Sequence, residues 1–399
     1  MRVSESIGLP QSRVLAAARA MQIQPFEVME VLARANELER AGRRIVRMEI
    51  GEPDFTAPAP VVEAAAQAMH AGLTAYTPAL GIPELRDAIA LFYKERYGID
   101  VSPARIAVTA GASGALLLTI AALVDPGDEV LVTDPGYSCY RHFVRAFEGV
   151  ARALPVEPAA DFQPTAAQVE KAWGPKTKAV ILASPSNPTG TLIDPAELAR
   201  IACFVQSRGG VLISDEIYHG LSYVDHVRSA LELPGNVVAI NSFSKYFCMT
   251  GWRLGWAVLP EELVRAFEKL AQHFFICPSA LSQRAALAAF GPATIEILEE
   301  RRREFRRRRD FFVPALREIG FGVPAQPNGA FYVYADCSPF HADGRAFAFE
   351  VLLERAGVAA TPGSDFGSHN TKQFVRFAYT RSMAEIEEGV DRLRRACAG

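Results

Sequence analysis

Short β-branched runs alternate with longer segments of helical spacing through the middle of the chain. Ile106–Thr109, Val130–Thr133, Ala179–Leu182, Val211–Ser214 and Val237–Ile240 are apolar at nearly every position. That pattern predicts strands buried on both faces rather than half-exposed ones. Segments such as Ser113–Leu123 and Pro195–Gln206 lie between them and are long enough for crossover helices. A sixth run, Leu254–Leu259, extends the same sheet and leads into an amphipathic stretch from Pro260 to about Phe274. The expected core is a mostly parallel α/β sheet between helices.

From about residue 293 the pattern changes. Glu299–Asp310 is a charge-dense helix, Phe331–Ala335 and Gln373–Tyr379 read as strands, and Met383–Cys397 carries Ile386, Val390 and Leu393 at helical spacing. These elements predict a separate α+β lobe, with the helical N-terminal forty-odd residues packed beside it. No repeat or low-complexity linker divides the chain, so the lobes should be closely joined.

Charge narrows the functional classes. The 399 residues carry 42 basic and 45 acidic side chains, a formal net charge of −3. This near balance argues against a dedicated nucleic-acid binder or a polybasic membrane-surface protein. The basic run Arg301–Arg303 and Arg306–Arg309 is interleaved with Glu299, Glu300, Glu304 and Asp310, and reads as a solvated helix face with Glu299–Arg303 and Glu304–Arg308 pairs. Arg13 and Arg19 interrupt the apolar residues before Phe26, and Ala115–Val124 is too short to span a bilayer. Six scattered cysteines and seven histidines without ligand spacing imply neither a disulfide framework nor a metal site. A reducing cytoplasmic compartment is expected.

Polar residues collect at four predicted strand ends, where α/β sheets bind ligands. The clusters are Gly111-Ala112-Ser113-Gly114, Ser184–Gly190, Asp215-Glu216-Ile217-Tyr218 and Asn241–Lys245. At the first, backbone N–H groups opening a helix suit an anion, although Ser113 would serve equally as a helix cap. Asp215 ends an apolar strand and requires a cation or donors. Only seven of the basic residues are lysine, and Lys245 stands at a strand end among aromatics. There it can be a nucleophilic amine or the ion-pair partner of Asp215. Arg253 and Arg376, each among apolar residues, require anions; a guanidinium is suited to a carboxylate, and Arg376 could also snorkel from a sheet edge.

In this order and spacing the pieces resemble the class I/II aminotransferases, the fold-type-I enzymes that use pyridoxal 5′-phosphate. The resemblance runs from Gly51-Glu52-Pro53-Asp54-Phe55 through Ala75-Tyr76-Thr77, Ser186–Gly190, Ser214–Tyr218 and Ser242–Arg253 to Val375-Arg376. It implies a large domain over 48–295 with a mostly parallel seven-stranded sheet, and a smaller α+β domain from 1–47 and 296–399. By the same resemblance Lys245 would hold the cofactor as a Schiff base and shuttle a proton, and Asp215 would pair with the pyridine nitrogen. Asn187 and Tyr218 would bond the ring oxygen, and Tyr137 would stack on the ring. Ala112, Ser113, Ser242, Ser244 and Arg253 would hold the phosphate. Arg376 would clamp the substrate carboxylate beside Gly51 and Asn187, and Tyr76 would reach the phosphate of a neighbouring subunit, implying a homodimer with shared sites.

The implied activity is ping-pong transfer of an amino group between an L-amino acid and a 2-oxo acid, 2-oxoglutarate or pyruvate. Ser113 stands where acidic-substrate relatives often have lysine. Tyr246 follows Lys245 where a smaller residue is often found. A C–S β-lyase on the same scaffold is the nearest alternative. A serine acyl-hydrolase satisfies the Ser242-x-x-Lys245 spacing but lacks the S-D-N and K-T-G elements.

Overall fold

A computed structural model describes residues 16–398. The part of the expected N-terminal helical segment before residue 16 lies outside the described residues. Twelve strands run in chain order among them: β1 (Val46–Arg47), β2 (Ile106–Thr109), β3 (Glu129–Asp134), β4 (Val150–Pro155), β5 (Thr177–Ala183), β6 (Val211–Asp215), β7 (Val237–Ser242), β8 (Gly255–Val258), β9 (Tyr332–Asp336), β10 (Val358–Ala359), β11 (Thr361–Pro362) and β12 (Phe374–Ala378).

Seven of these form the main sheet in the order β2-β8-β7-β6-β5-β3-β4. Its interior strands are apolar throughout because alternate residues meet helices on opposite faces. On β5, Ala179, Ile181 and Ala183 join a cluster with Leu116 and Phe267, whereas Val180 and Leu182 join one with Leu198 and Ile201. The first cluster is covered by helices Gly111–Leu123 and Glu261–Phe274, the second by Ala166–Ala172 and Pro195–Ser207. Leu254–Leu259 does extend this sheet, but β8 runs antiparallel to both β7 and β2. The twelve residues that separate it from β7 form no crossover helix; they make the loop that carries Lys245, and the chain turns back. The parallel edge strand β4 was not individually visible in the sequence. Most of it is exposed, it contains Arg152 and Pro155, and it bonds only to β3.

The C-terminal part folds around an antiparallel sheet ordered β11-β12-β9 and the long helix Pro292–Ile319. The N-terminal helix Glu27–Arg40 places Val31, Ala35 and Leu38 against Leu353 and Ala359, and β1 pairs with β10. A single apolar cluster runs from Ile106, Val108 and Trp256 of the main sheet to Phe312, Phe377 and Ile386. The two regions are thus closely joined.

The basic helix differs from the solvated face expected of it. Leu298, Phe305 and Phe312 recur every seven residues and are buried, so one stripe of this helix faces the core. Arg308 and Arg309 are buried too. Arg308 pairs with Asp54 at 2.7 Å and Glu304 at 2.9 Å, and Arg309 donates to the Pro327 carbonyl at 3.2 Å. The expected Glu304–Arg308 pair is present, but Glu299 bonds Arg302 at 2.6 Å instead of Arg303. Phe305→Ala should therefore lower stability by about 3–5 kcal/mol, whereas Arg306→Ala, one residue on and half exposed, should change it by no more than ~0.5 kcal/mol. Urea midpoints compared at equal slope check this contrast.

Candidate active site

Because β2 and β7 point the same way, the four polar strand ends meet on one edge of the main sheet. They open into a cavity of about 370 Å³ against the C-terminal region. Gly51, Ala112, Ser113, Tyr137, Asn187, Asp215, Tyr218, Ser242, Ser244, Lys245, Arg253 and Arg376 all line it. Tyr76 does not; its side chain projects into solvent and the residue is 82% exposed.

Lys245 follows β7 in a loop anchored by aromatic packing. Phe243 lies 5.0 Å from both Phe247 and Trp256, ring centre to ring centre. The Lys245 Nζ donates to the Gly51 carbonyl at 2.6 Å. Burial, reinforced by the positive charge of Arg376, pulls its pKa down to about 8. Asp215 does not form an ion pair with Lys245. One of its carboxylate oxygens accepts from the Tyr140 hydroxyl at 2.5 Å and the other from the Ile217 N–H at 3.2 Å. Burial raises its pKa to about 6 despite these donors. A buried carboxylate and a buried amine thus face one cavity with room between them.

At the phosphate-like end, close backbone approaches require glycine. A side chain on Gly255 would lie 2.7 Å from the Ala112 nitrogen, and one on Gly111 would lie 2.7 Å from Arg253 Nη2. The helix N-terminus and the guanidinium are thereby brought together beside Ser242 and Ser244. Ser242 Oγ donates to the Leu254 carbonyl at 3.2 Å and accepts from the Ser244 N–H at 3.0 Å. It is engaged with backbone rather than Lys245, which removes the nucleophile–base pair of the hydrolase alternative. Unpaired N–H groups, hydroxyls and a guanidinium make this end suitable for a phosphate dianion.

Arg376 occupies the opposite end. It is buried, and donates to Asn187 Oδ1 at 2.8 Å, the Glu49 carbonyl at 2.6 Å and Thr361 Oγ1 at 3.2 Å. Its plane lies 4.3 Å from the Tyr332 ring centre and 4.8 Å from that of Phe366. The Arg376 Nε is buried without a partner. This residue is not a snorkelling edge group; it is a buried cation fixed by the fold at the cavity wall. Asn187, linked by resemblance to a ring oxygen, uses its own side-chain oxygen to hold Arg376.

Sequence reasoning missed Tyr140, Tyr332 and the covering residues Phe26, Val28 and Met29, all of which line the cavity. The three-residue spacing of Tyr137 and Tyr140 could have suggested a shared face. Their rings meet edge to face with centres 5.3 Å apart. Nothing local marks Tyr332 or the N-terminal segment, because chain folding over long separations brings them there.

Comparison with known proteins agrees with this geometry. The family described as aminotransferase class I and II matches residues 43–393. The valine–pyruvate aminotransferase of Mycobacterium tuberculosis is 43% identical over 93% of this chain and 96% of its own length. The aspartate/prephenate aminotransferase of Thermus thermophilus is 37% identical over 94% and 97%. Among solved structures, an aminotransferase from Mycobacterium tuberculosis superposes with a TM-score of 0.92 at 42% identity, covering 96% of this chain and 98% of that one. Aspartate aminotransferase from Thermus thermophilus with maleate gives 0.91 at 36% identity, covering 96% and 100%. These relatives lend no support to the lyase alternative, and the fold is that of the fold-type-I enzymes. On a match of this extent, the chain belongs to the class I and II aminotransferases.

Proposed function

We propose that the cavity binds pyridoxal 5′-phosphate and transfers an amino group from an L-amino acid to a 2-oxo acid in two half-reactions. The carrying observation is that buried Lys245, Asp215 and Arg376 line one cavity together with Ala112, Ser113 and Arg253. When bound, the cofactor supplies a carbonyl carbon and an electron-withdrawing ring.

The chain's own groups do the rest. Ala112, Ser113, Ser242, Ser244 and Arg253 hold the phosphate. Lys245 would hold the cofactor through its neutral amine and would move a proton at the substrate Cα. Tyr140 holds the Asp215 carboxylate, which would accept a hydrogen bond from the protonated ring nitrogen. Tyr218 would donate to the ring oxygen, Tyr137 would stack on the ring, and Arg376 would grip the substrate carboxylate beside Gly51. Phe26, Val28 and Met29 cover the opening and limit water.

The side-chain preference follows from charge. Among the described residues lining the cavity, the cationic side chains are Lys245, Arg253 and Arg376, and each has a role above. Val28, Met29, Ile50 and Phe366 supply apolar wall, and the carboxylates Glu52 and Asp365 also face it. A second substrate carboxylate would meet repulsion with no counter-charge from this chain. Neutral, apolar amino acids and pyruvate are therefore the proposed substrates, in keeping with the named valine–pyruvate relative.

Exposed Tyr76 is proposed to complete the phosphate site of a second subunit in a homodimer. The proposed large domain is 48–295 and the small one 1–47 with 296–399, supported by the β1–β10 pairing of the two terminal parts. Six free cysteines suit a cytoplasmic setting, and no helix among the described residues is long and apolar enough to cross a membrane.

Three outcomes test this reading. Lys245→Ala should abolish keto-acid-dependent transfer while the protein still retains the cofactor non-covalently; near-normal turnover would sink the assignment. In apo-protein mixed with pyridoxal 5′-phosphate, the neutral amine is the reactive form. Formation of the Lys245-linked absorbance should accelerate as pH rises and level off above about 8, falling about tenfold per pH unit below it. A rate still rising toward the ordinary lysine range would contradict the buried amine. Finally, single amino acids added without acceptor should bleach that absorbance faster with L-valine or L-alanine than with L-aspartate. A preference for aspartate, or release of ammonia and pyruvate without an acceptor, would overturn the substrate assignment.

A further inference from the structure

Tyr332 makes the cavity's least expected contact. It opens β9, where the antiparallel register sets Tyr332 opposite Ala378 and Tyr334 opposite Arg376. Tyr332 is thus the diagonal cross-strand neighbour of Arg376, within reach of a long side chain. Its ring carries the Arg376 guanidinium at 4.3 Å, and its hydroxyl lies 2.8 Å from that of Tyr218. Both tyrosines are buried, and both line the cavity. The hydroxyl also crowds Gly51, where an added Cβ would come within 1.8 Å of it. Glycine at 51 therefore leaves the Tyr332 hydroxyl its place.

Two hydroxyls at this distance share one proton. If Tyr218 gives its proton to Tyr332, Tyr218 has none left to donate to a ligand. If Tyr332 gives its proton to Tyr218, the Tyr218 proton is free to point into the cavity, and accepting a hydrogen bond strengthens its own donation. An anionic oxygen in front of Tyr218 selects the second arrangement. We propose that Tyr332 is a positioning residue whose hydroxyl donates to Tyr218 and thereby aims and strengthens the Tyr218 hydrogen bond to the cofactor's ring oxygen. The inference rests on the pyridoxal-phosphate reading above.

The consequence is readable without turnover. Charge on the ring oxygen holds the proton on the nitrogen joining Lys245 to the cofactor. A stronger donor at that oxygen draws charge away and eases loss of that proton. Removing the Tyr332 hydroxyl should hold the proton more tightly.

The test is the pH titration of the Lys245-linked absorbance in the reconstituted full-length protein. Tyr332→Phe keeps the buried ring, so folding and the Arg376 platform should survive. Its apparent pKa should rise by ~0.3–1 unit, the range of one hydrogen bond of ordinary net strength, with KM for the amino acid changed less than about twofold. Tyr218→Phe should raise the pKa by more, and Tyr332→Phe should add nothing in the Tyr218→Phe background. A single variant that titrates like the parent overturns the proposal, as does an equal shift in both backgrounds, because Tyr332 would then act independently of Tyr218. A parent protein that takes up no cofactor and shows no such absorbance refutes the cofactor reading itself. A parent that titrates normally while the variant overlays it refutes the positioning role alone.

Discussion

A buried guanidinium ties the two halves of this protein together. Arg376 belongs to β12 of the C-terminal sheet, yet it donates to Asn187, beyond the end of β5 in the main sheet, and to the Glu49 carbonyl next to β1. A charge withdrawn from water is tolerated only when its donors are satisfied. Three separate chain segments supply that satisfaction, together with the faces of Tyr332 and Phe366. Its Nε is left without a partner, and the residue lines the cavity. The same contacts that join the sheets hold a cation at the cavity wall.

The remaining charged groups follow the same physics with opposite signs. Parallel strands covered by helices on both faces leave polar side chains only at their ends, so Asp215 and Lys245 share one edge. Each is buried without the other as a direct partner: Asp215 rests on Tyr140 and Ile217, Lys245 on the Gly51 carbonyl. Burial then moves the two ionisations toward one another, with the carboxyl near 6 and the amine near 8. Close backbone approaches at Gly51, Gly111 and Gly255 keep the walls tight around them.

Much of this was legible in the chain. Fully apolar strands announce themselves because both of their faces are covered, which is why five of the main-sheet strands and the extension at Leu254–Leu259 could be read directly. Edge strand β4 could not, since its exposed residues carry no such pattern. The reversal of β8 depended on the helix-free course of the loop before it, and burial of Arg308 and Arg309 depended on Asp54 and Pro327 arriving from elsewhere. A charge-dense helix with a seven-residue apolar stripe can be read as surface or as core, and here it is both.

For the site, the sequence alone determined which residue types stand at the strand ends. Amine, carboxylate, hydroxyls and guanidinium are local features of short motifs, and their order along the chain identified the family. Only tertiary structure decided their partners. Tyr140 on Asp215, Asn187 on Arg376 and Tyr332 on Tyr218 pair residues 75, 189 and 114 positions apart. No periodicity links such positions. They meet because strand order, antiparallel register and the packing of one sheet against another bring them within bonding distance, and those are properties of the whole fold.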